Sequence, residues 1–171
     1  ENKLTKVIHD IPLIKHSINN ILDSDIDELV IVLGHQREVL EKFIDQNKKI
    51  KIVFNKNFKN GMSSSIKTGL EHLSKKTEAY FICHGDMPMV KKEIYNRLIQ
   101  SRDNNKEIFV PNYHSQQGNP ILFSIKMKQK IMEIEGDVGA KKILEENSDK
   151  ILNLSIDSDS IVSDFNTQDS F

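Results

Sequence analysis

The sequence predicts an α/β fold in which a mostly parallel sheet is covered by helices on both faces, as one domain over residues 1–171. Two observations carry this prediction. Short apolar runs rich in branched residues alternate with segments of helical periodicity, and several of the runs end in Gly or Asn. The 171 residues, 37% of them hydrophobic, are enough to bury one sizeable core.

The first elements follow from apolar spacing. A helix is predicted over 12–22 because its apolar residues recur at helical intervals and Pro12 is tolerated in a first turn. The apolar run 28–33, closed by Gly34, is typical of a buried parallel strand. The same reasoning predicts the next elements, which are a helix over 36–46, a strand over 50–54 and a polar loop over 55–61.

The second half continues the alternation. A serine-rich start opens a helix over 63–73, and an apolar strand over 79–83 ends in His84-Gly85-Asp86. The remaining elements are helices over 91–101, 126–132 and 138–146, and strands over 108–111, 120–123 and 151–162. Because ligands of such folds bind at the carboxyl ends of the strands, the motifs at those ends form the candidate site.

Charge, cysteine content and hydropathy exclude several classes of protein. The 24 basic and 25 acidic side chains leave a net charge of -1, so we expect neither nucleic acid nor a membrane surface as a partner. Cys83 is the only cysteine, which excludes an internal disulfide and a thiolate metal cluster, and we expect it to be a small buried residue. No apolar run approaches the roughly 18 residues of a membrane span. These features predict a cytoplasmic protein.

The first candidate for a metal site is Gly85-Asp86-Met87-Pro88, which directly follows the strand over 79–83. This position puts the Asp86 carboxylate at the carboxyl edge of the sheet. Mg²⁺ needs only one or two protein carboxylates when waters and substrate phosphates complete its shell. A plain turn built by Asp and Pro accounts for the same four residues equally well.

Four further motifs allow a ligand-binding and a plain structural interpretation. Gly61-Met62-Ser63-Ser64-Ser65 opens a helix whose free N–H groups can hold an anion, or else a serine simply caps that helix. The segment 136–140 opens another helix, where Asp137 fits an N-cap equally well. The segment 116–120 meets the same sheet edge or forms a surface loop. Near the end, Asp164 or Asn166 offers a second oxygen ligand for a metal, unless this segment is a solvated acidic tail.

In this order and with this spacing, the motifs resemble the molybdenum cofactor cytidylyltransferase branch of the MobA-like nucleotidyltransferase family over nearly the whole chain. The likeness rests on five blocks, which are 61–65, 85–88, 118–123, 136–140 and 164–167. It implies a three-layer, Rossmann-like nucleotidyltransferase fold. It also implies transfer of CMP from CTP to the terminal phosphate of molybdopterin with release of pyrophosphate, and it makes a molybdenum hydroxylase a candidate protein partner.

The resemblance implies roles for individual residues. Asp86 would be the main ligand of Mg²⁺ or Mn²⁺ with Asn166 completing the site, and Lys3 would neutralise the triphosphate, so Lys3 and Asp86 are the catalytic residues. The other residues that would line the nucleotide are Gly61, Met62, Ser63, Ser64 and Gly85. The residues that would face the pterin are Gly118, Asn119, Pro120, Asp137 and Gly139. No side-chain nucleophile is required, because the substrate phosphate itself attacks.

The family begins with an apolar strand and a Gly-rich loop ahead of the lysine that corresponds to Lys3. We therefore expect about 15 to 20 further residues upstream, from typical strand and loop lengths. Three other interpretations stay open: a relative that uses GTP or a sugar phosphate, a non-catalytic module that binds a pterin or nucleotide, and an α/β scaffold without a ligand. Nucleotide preference distinguishes the first, and binding without pyrophosphate release distinguishes the second.

Overall fold

The computed structural model of the chain describes residues 2–136 and 140–165. The longer helices form where apolar residues recur at helical spacing, as in the first, whose buried residues share one face. The α-helices within the described residues are α1 (Leu13–Leu22), α2 (Arg37–Glu41), α3 (Met62–Glu71), α4 (Lys92–Gln100), α5 (Lys128–Met132) and α6 (Lys141–Glu146). Short 3₁₀ helices lie at Lys3–Thr5, Phe58–Asn60, Ile125–Met127, Ser148–Lys150 and Asp159–Ile161.

The strands form one hairpin and two sheets. Their bounds are β1 (Val7–Ile8), β2 (Ile11–Pro12), β3 (Leu29–Leu33), β4 (Ile50–Phe54), β5 (Ala79–Ile82), β6 (Ile108–Tyr113), β7 (Gln116–Gln117), β8 (Ile121–Ser124) and β9 (Ile151–Ser155). The hairpin joins β1 to β2, and the smaller sheet pairs β3 with β4 in parallel. In the larger sheet β8 lies between β5 and β6 and is antiparallel to both. β7 forms an antiparallel hairpin with β6, and β9 pairs with β6 in parallel. The predicted α/β fold is confirmed, with β8 and the two-residue β7 running opposite to the other strands of the larger sheet.

Helices cover both faces of the larger sheet because successive residues of a strand point to opposite sides. On one face Phe123 of β8 packs in a cluster with Leu70 of α3. On the other face its neighbour Leu122 packs in a cluster with Ile21 of α1 and Leu98 of α4. These two clusters form the main core, and they give the fold its three layers.

The two sheets are joined through α1 and α3 rather than through hydrogen bonds. Ile18 of α1 packs with Leu33 of β3 in a third cluster, and Gly69 of α3 lies against Val32 on the opposite face of β3. Among the described residues, β3 pairs only with β4 and β5 only with β8. One edge of β3 and one edge of β5 are therefore open, with α1 on one face and α3 on the other.

Several elements differ from the sequence prediction. The helix expected over 36–46 extends only from Arg37 to Glu41, and it cannot begin earlier because Gln36 has a φ of 56°. The strand expected over 151–162 ends at Ser155, since Ser158 caps a 3₁₀ helix at Asp159–Ile161. The predicted start of the helix over 138–146 lies outside the described residues, and α6 begins at Lys141.

Two hairpins are not evident from the sequence. The β1–β2 and β6–β7 pairs each involve only two residues a strand, too few to show a period of two. Their two-residue turns have positive φ at all four positions, yet they contain none of the Gly or Asn that marks such turns. These residues are His9 (φ 48°), Asp10 (66°), His114 (46°) and Ser115 (65°).

Candidate active site

Asp86 lies in the loop that follows β5, where the sequence places it. Its carboxylate accepts a hydrogen bond from the ammonium group of Lys3, and its side chain is 15% exposed. A carboxylate at a strand end that solvent can still reach is available to a cation. The two residues predicted to be catalytic are therefore brought together.

The beginning of the described chain is docked on this loop. Lys3 opens a 3₁₀ helix, Lys3–Thr5, in which the side chain of Asn2 accepts a hydrogen bond from the backbone N–H of Leu4 at 3.0 Å. Leu4 lies beside Gly85, since a Cβ placed on Gly85 would meet its side chain at 3.6 Å. This contact puts the Lys3 ammonium within reach of Asp86.

The end of the described chain also meets Asp86. The backbone N–H of Phe165 donates to the Asp86 carbonyl oxygen at 3.1 Å. The residue that follows, Asn166, lies outside the described residues, so its predicted role as a second metal ligand stays a prediction. The tail is nevertheless attached to the Asp86 loop immediately before that position.

The start of α3 is organised by a residue that sequence reasoning treats only as part of a polar loop. Asn55, 3% exposed at the end of β4, donates from its amide to the hydroxyls of Ser64 (2.8 Å) and Ser65 (3.0 Å). The Ser64 hydroxyl also lies within hydrogen-bond distance of the carbonyl oxygens of Asn57 (3.0 Å) and Gly61 (2.9 Å). Two of the three serines thus hold the loop in shape. The available signal was a polar side chain directly after a buried strand.

Gly61 and Ser63 connect this loop to the next motif. Gly61 has a φ of 95°, which only glycine adopts without strain, and it directly precedes α3. The backbone N–H of Ser63 donates to the carbonyl oxygen of Gly136 at 3.2 Å. The segment that follows Gly136 contains Asp137 and Gly139, which lie outside the described residues, so their assignment to the pterin stays a prediction.

The loop of Gly118, Asn119 and Pro120 packs against the end of the chain. The N–H of Asn119 donates to the carbonyl oxygen of Ile161 at 2.8 Å, and the N–H of Gly118 donates to that of Pro111 at 2.8 Å. A Cβ on Gly118 would meet the buried Ile161 side chain at 2.7 Å, closer than real Cβ contacts. Close packing on Ile161 therefore requires glycine at this position.

The donor set suits a hard cation held by few protein ligands. The described residues contain no cluster of three or more His, Cys, Asp or Glu side chains that could hold a metal. Burial raises the pKa of the Cys83 thiol to about 12, so Cys83, three residues before Asp86, stays protonated. Asp86 alone fits Mg²⁺ or Mn²⁺ that takes its other oxygens from water and phosphates.

In the described part of the chain no helix is long and apolar enough to cross a bilayer.

A family model described as the MobA-like NTP transferase domain matches residues 1–151. The chain belongs to this family. The matched range includes β1 to β8 and α1 to α6, and with them the Lys3–Asp86 pair and the start of α3. The part of the chain that matches the family model therefore contains nearly every element around the candidate site.

Two relatives show over how much of the chain the sequence likeness extends. The chain is 31% identical over 154 residues to the bifunctional protein GlmU of Thermosipho africanus (strain TCF52B), covering 86% of this chain and 33% of that protein. It is 29% identical over 109 residues to the molybdenum cofactor cytidylyltransferase of Escherichia coli (strain K12), covering 63% of this chain and 54% of that protein. The chain thus spans about a third to a half of the length of these relatives.

Solved structures agree on the fold. Rv0371c of Mycobacterium tuberculosis H37Rv matches with a TM-score of 0.82 at 18% identity, over 92% of this chain and 80% of that one. Its complex with manganese matches with a TM-score of 0.78 at 18% identity, over 91% and 82%. At this identity the likeness concerns the fold alone.

Proposed function

We propose that this chain is a Mg²⁺- or Mn²⁺-dependent nucleotidyltransferase that transfers CMP from CTP to molybdopterin. The observation that carries the proposal is the pairing of Lys3 with Asp86 at the end of β5. Nucleotidyl transfer joins two anionic partners, so it needs a cation and a metal-binding carboxylate at one place. This pair supplies both.

The reaction needs little covalent chemistry from the protein. An oxygen of the acceptor's terminal phosphate attacks the α-phosphorus of CTP, the bond from that phosphorus to the bridging oxygen breaks, and pyrophosphate leaves with the electron pair. A bound Mg²⁺ supplies positive charge that stabilises the leaving pyrophosphate. When the nucleotide binds, the ammonium group of Lys3 leaves the Asp86 carboxylate and pairs with an oxygen of the triphosphate. The loop at Gly61 and Ser63 borders the nucleotide.

The choice of substrates rests on likeness. The five sequence motifs resemble the cytidylyltransferase branch, and the Escherichia coli relative carries that name. On the same grounds we assign Gly118, Asn119 and Pro120 to the pterin side. A molybdenum hydroxylase that receives the product, and a cytoplasmic location in keeping with a single cysteine, belong to this proposal.

We also propose that the catalytic form has an additional strand and a Gly-rich loop upstream of Lys3. The support is the pair of open edges on β3 and β5, which α1 and α3 cover on both faces. A strand between these edges would pair backbone groups that a buried sheet must satisfy. The Gly-rich loop would then bring backbone N–H groups to the triphosphate.

The test is pyrophosphate release by this chain and by a version extended upstream. Each is given Mg²⁺, one acceptor at a time, either molybdenum-loaded molybdopterin or a sugar phosphate, and one nucleoside triphosphate at a time. We expect release with CTP from the extended version. Release with GTP instead, or with a sugar phosphate as acceptor, would identify a different member of the family, and tight binding without release would indicate a non-catalytic module.

A further inference from the structure

Two polar side chains of α1 hold the loop that carries Asp86. The hydroxyl of Ser17 donates to the carbonyl oxygen of Gly85 at 2.8 Å, and the amide of Asn20 donates to the carbonyl oxygen of Pro88 at 2.7 Å. Residues three apart on a helix lie on the same side of it. The two carbonyls come before and after Asp86 along the chain, so α1 holds the loop at both ends.

Ser17 lies on a face of α1 that is otherwise apolar. It is 3% exposed, and the other buried residues of the helix are Leu13, Ile14, Ile18 and Ile21. A serine within a helix commonly bonds its own preceding turn. Here the Ser17 hydroxyl donates to the Gly85 carbonyl oxygen instead. An apolar side chain at this position would pack α1 equally well, so the hydroxyl serves the contact with the loop.

Further contacts restrict the same loop. Met87 and Val90 are buried in the cluster that contains Ile21 of α1. The carbonyl oxygen of Asp86 itself accepts the N–H of Phe165. These contacts hold the backbone of the loop on several sides, and with it the position from which the Asp86 side chain extends.

We infer that Ser17 and Asn20 are positioning residues that direct the Asp86 carboxylate towards the metal and thereby set its affinity and the turnover. The inference rests on the proposed function, in which Asp86 is the metal ligand. Groups that hydrogen-bond a metal-ligating side chain directly are worth about 10- to 100-fold in metal affinity or activity, and we expect the lower end of that range for residues that act through the adjoining backbone. Both residues would act through the backbone on either side of Asp86.

The experiment compares each variant with a matched control on α1 or in the turn that follows it. Ser17→Ala is compared with Ser24→Ala, which removes a buried hydroxyl that bonds the Ile21 carbonyl of its own turn and not the Asp86 loop. Asn20→Ala is compared with Asn19→Ala, its exposed neighbour. Mn²⁺ affinity is measured by electron paramagnetic resonance, and loop mobility by hydrogen exchange of the amides of residues 85–87. The turnover number kcat is determined separately from KM for CTP.

We expect Ser17→Ala and Asn20→Ala to weaken Mn²⁺ binding about tenfold and to lower kcat more than they change KM. The loop amides should exchange faster in these two variants, while both controls behave as the unaltered protein. Ser17→Thr, which keeps the hydroxyl, should retain Mn²⁺ affinity. Unfolding by urea checks that each variant is folded under the conditions of the assay.

The outcomes separate the inference from the proposed function. Mn²⁺ binding that depends on Asp86 but is equal in the four alanine variants would overturn the inference alone. Binding weakened in Ser17→Ala and Asn20→Ala, together with no transfer of any nucleotide, would support the inference and overturn the proposed function. Mn²⁺ binding that is unaffected by Asp86→Ala would overturn both.

Discussion

The ammonium group of Lys3 donates a hydrogen bond to the carboxylate of Asp86, so the two side chains assigned to catalysis neutralise each other in the protein alone. A metal that binds Asp86 must therefore compete with Lys3. If Asp86 held a metal, the Lys3 ammonium group would become available to a triphosphate oxygen. Metal and nucleotide binding should for this reason favour each other.

Replacing Asp86 by alanine should reduce turnover by at least ~100-fold, because a catalytic metal supplies several kcal/mol to the transition state. Pyrophosphate release measures this loss. The change should leave the free energy of unfolding nearly unaltered, since the contact described for the Asp86 side chain is a solvent-accessible ion pair with Lys3. Asp45→Ala, which removes an exposed carboxylate paired with Lys15, is the control and should keep full turnover. Near-normal turnover of Asp86→Ala would contradict the assignment.

Lys3→Gln should separate metal binding from catalysis. Removing the ammonium group removes a competitor for Asp86, and an exposed ion pair is worth up to about 1 kcal/mol, so Mn²⁺ should bind up to about fivefold more tightly. Turnover should fall in the same variant because the triphosphate loses its cation. Titration with Mn²⁺ and a turnover assay test the two effects, with Lys15→Gln as the control. A parallel loss of metal affinity and turnover would show that Lys3 does not compete with the metal.

Gly118→Ala should lower the free energy of unfolding by about 1 to 3 kcal/mol, because the new methyl group would overlap the buried Ile161 side chain. Urea denaturation measures the loss. Gly85→Ala is the control, since its methyl group would meet Leu4 at an ordinary 3.6 Å. Adding Ile161→Ala makes room for the methyl group, so the double variant should lose less than the sum of the two single losses. Strict additivity would argue against the close approach.

Tyr80→Phe should leave the protein as stable as before or stabilise it by about 1 kcal/mol. Tyr80 is buried against the ring of Phe123, burial raises the pKa of its hydroxyl well above the usual value, and the described residues offer that hydroxyl no hydrogen-bond partner. Tyr95→Phe is the comparison: the Tyr95 hydroxyl is also buried but interacts with the Cys83 thiol, so its removal should destabilise the protein more than removal of the Tyr80 hydroxyl. Thermal unfolding compares the two. A clear loss in Tyr80→Phe would reveal a partner outside the described residues.

The order of strands and helices could be predicted from residue patterns because each pattern is local. Helical spacing identifies α1 and α3, and the run of branched residues identifies β3 and β4 with bounds that agree within one residue. The glycine of Gly85-Asp86 and the serines at 63–65 likewise stand where a strand ends or a helix begins. Local patterns fail in the helix predicted over 36–46, which ends at Glu41 although Phe43 and Ile44 continue the apolar spacing.

The sequence by itself determined the α/β class, the position of Asp86 after an apolar strand and the resemblance to the MobA-like family, since these depend on neighbours along the chain. Only the tertiary structure decided that Lys3 meets Asp86, that Asn55 holds Ser64 and Ser65, and that Ser17 is bonded to the Gly85 loop. The reversal of β8 is of the same kind. Such contacts join residues that are distant in sequence, and they depend on how the helices pack across the sheets, which no local spacing encodes.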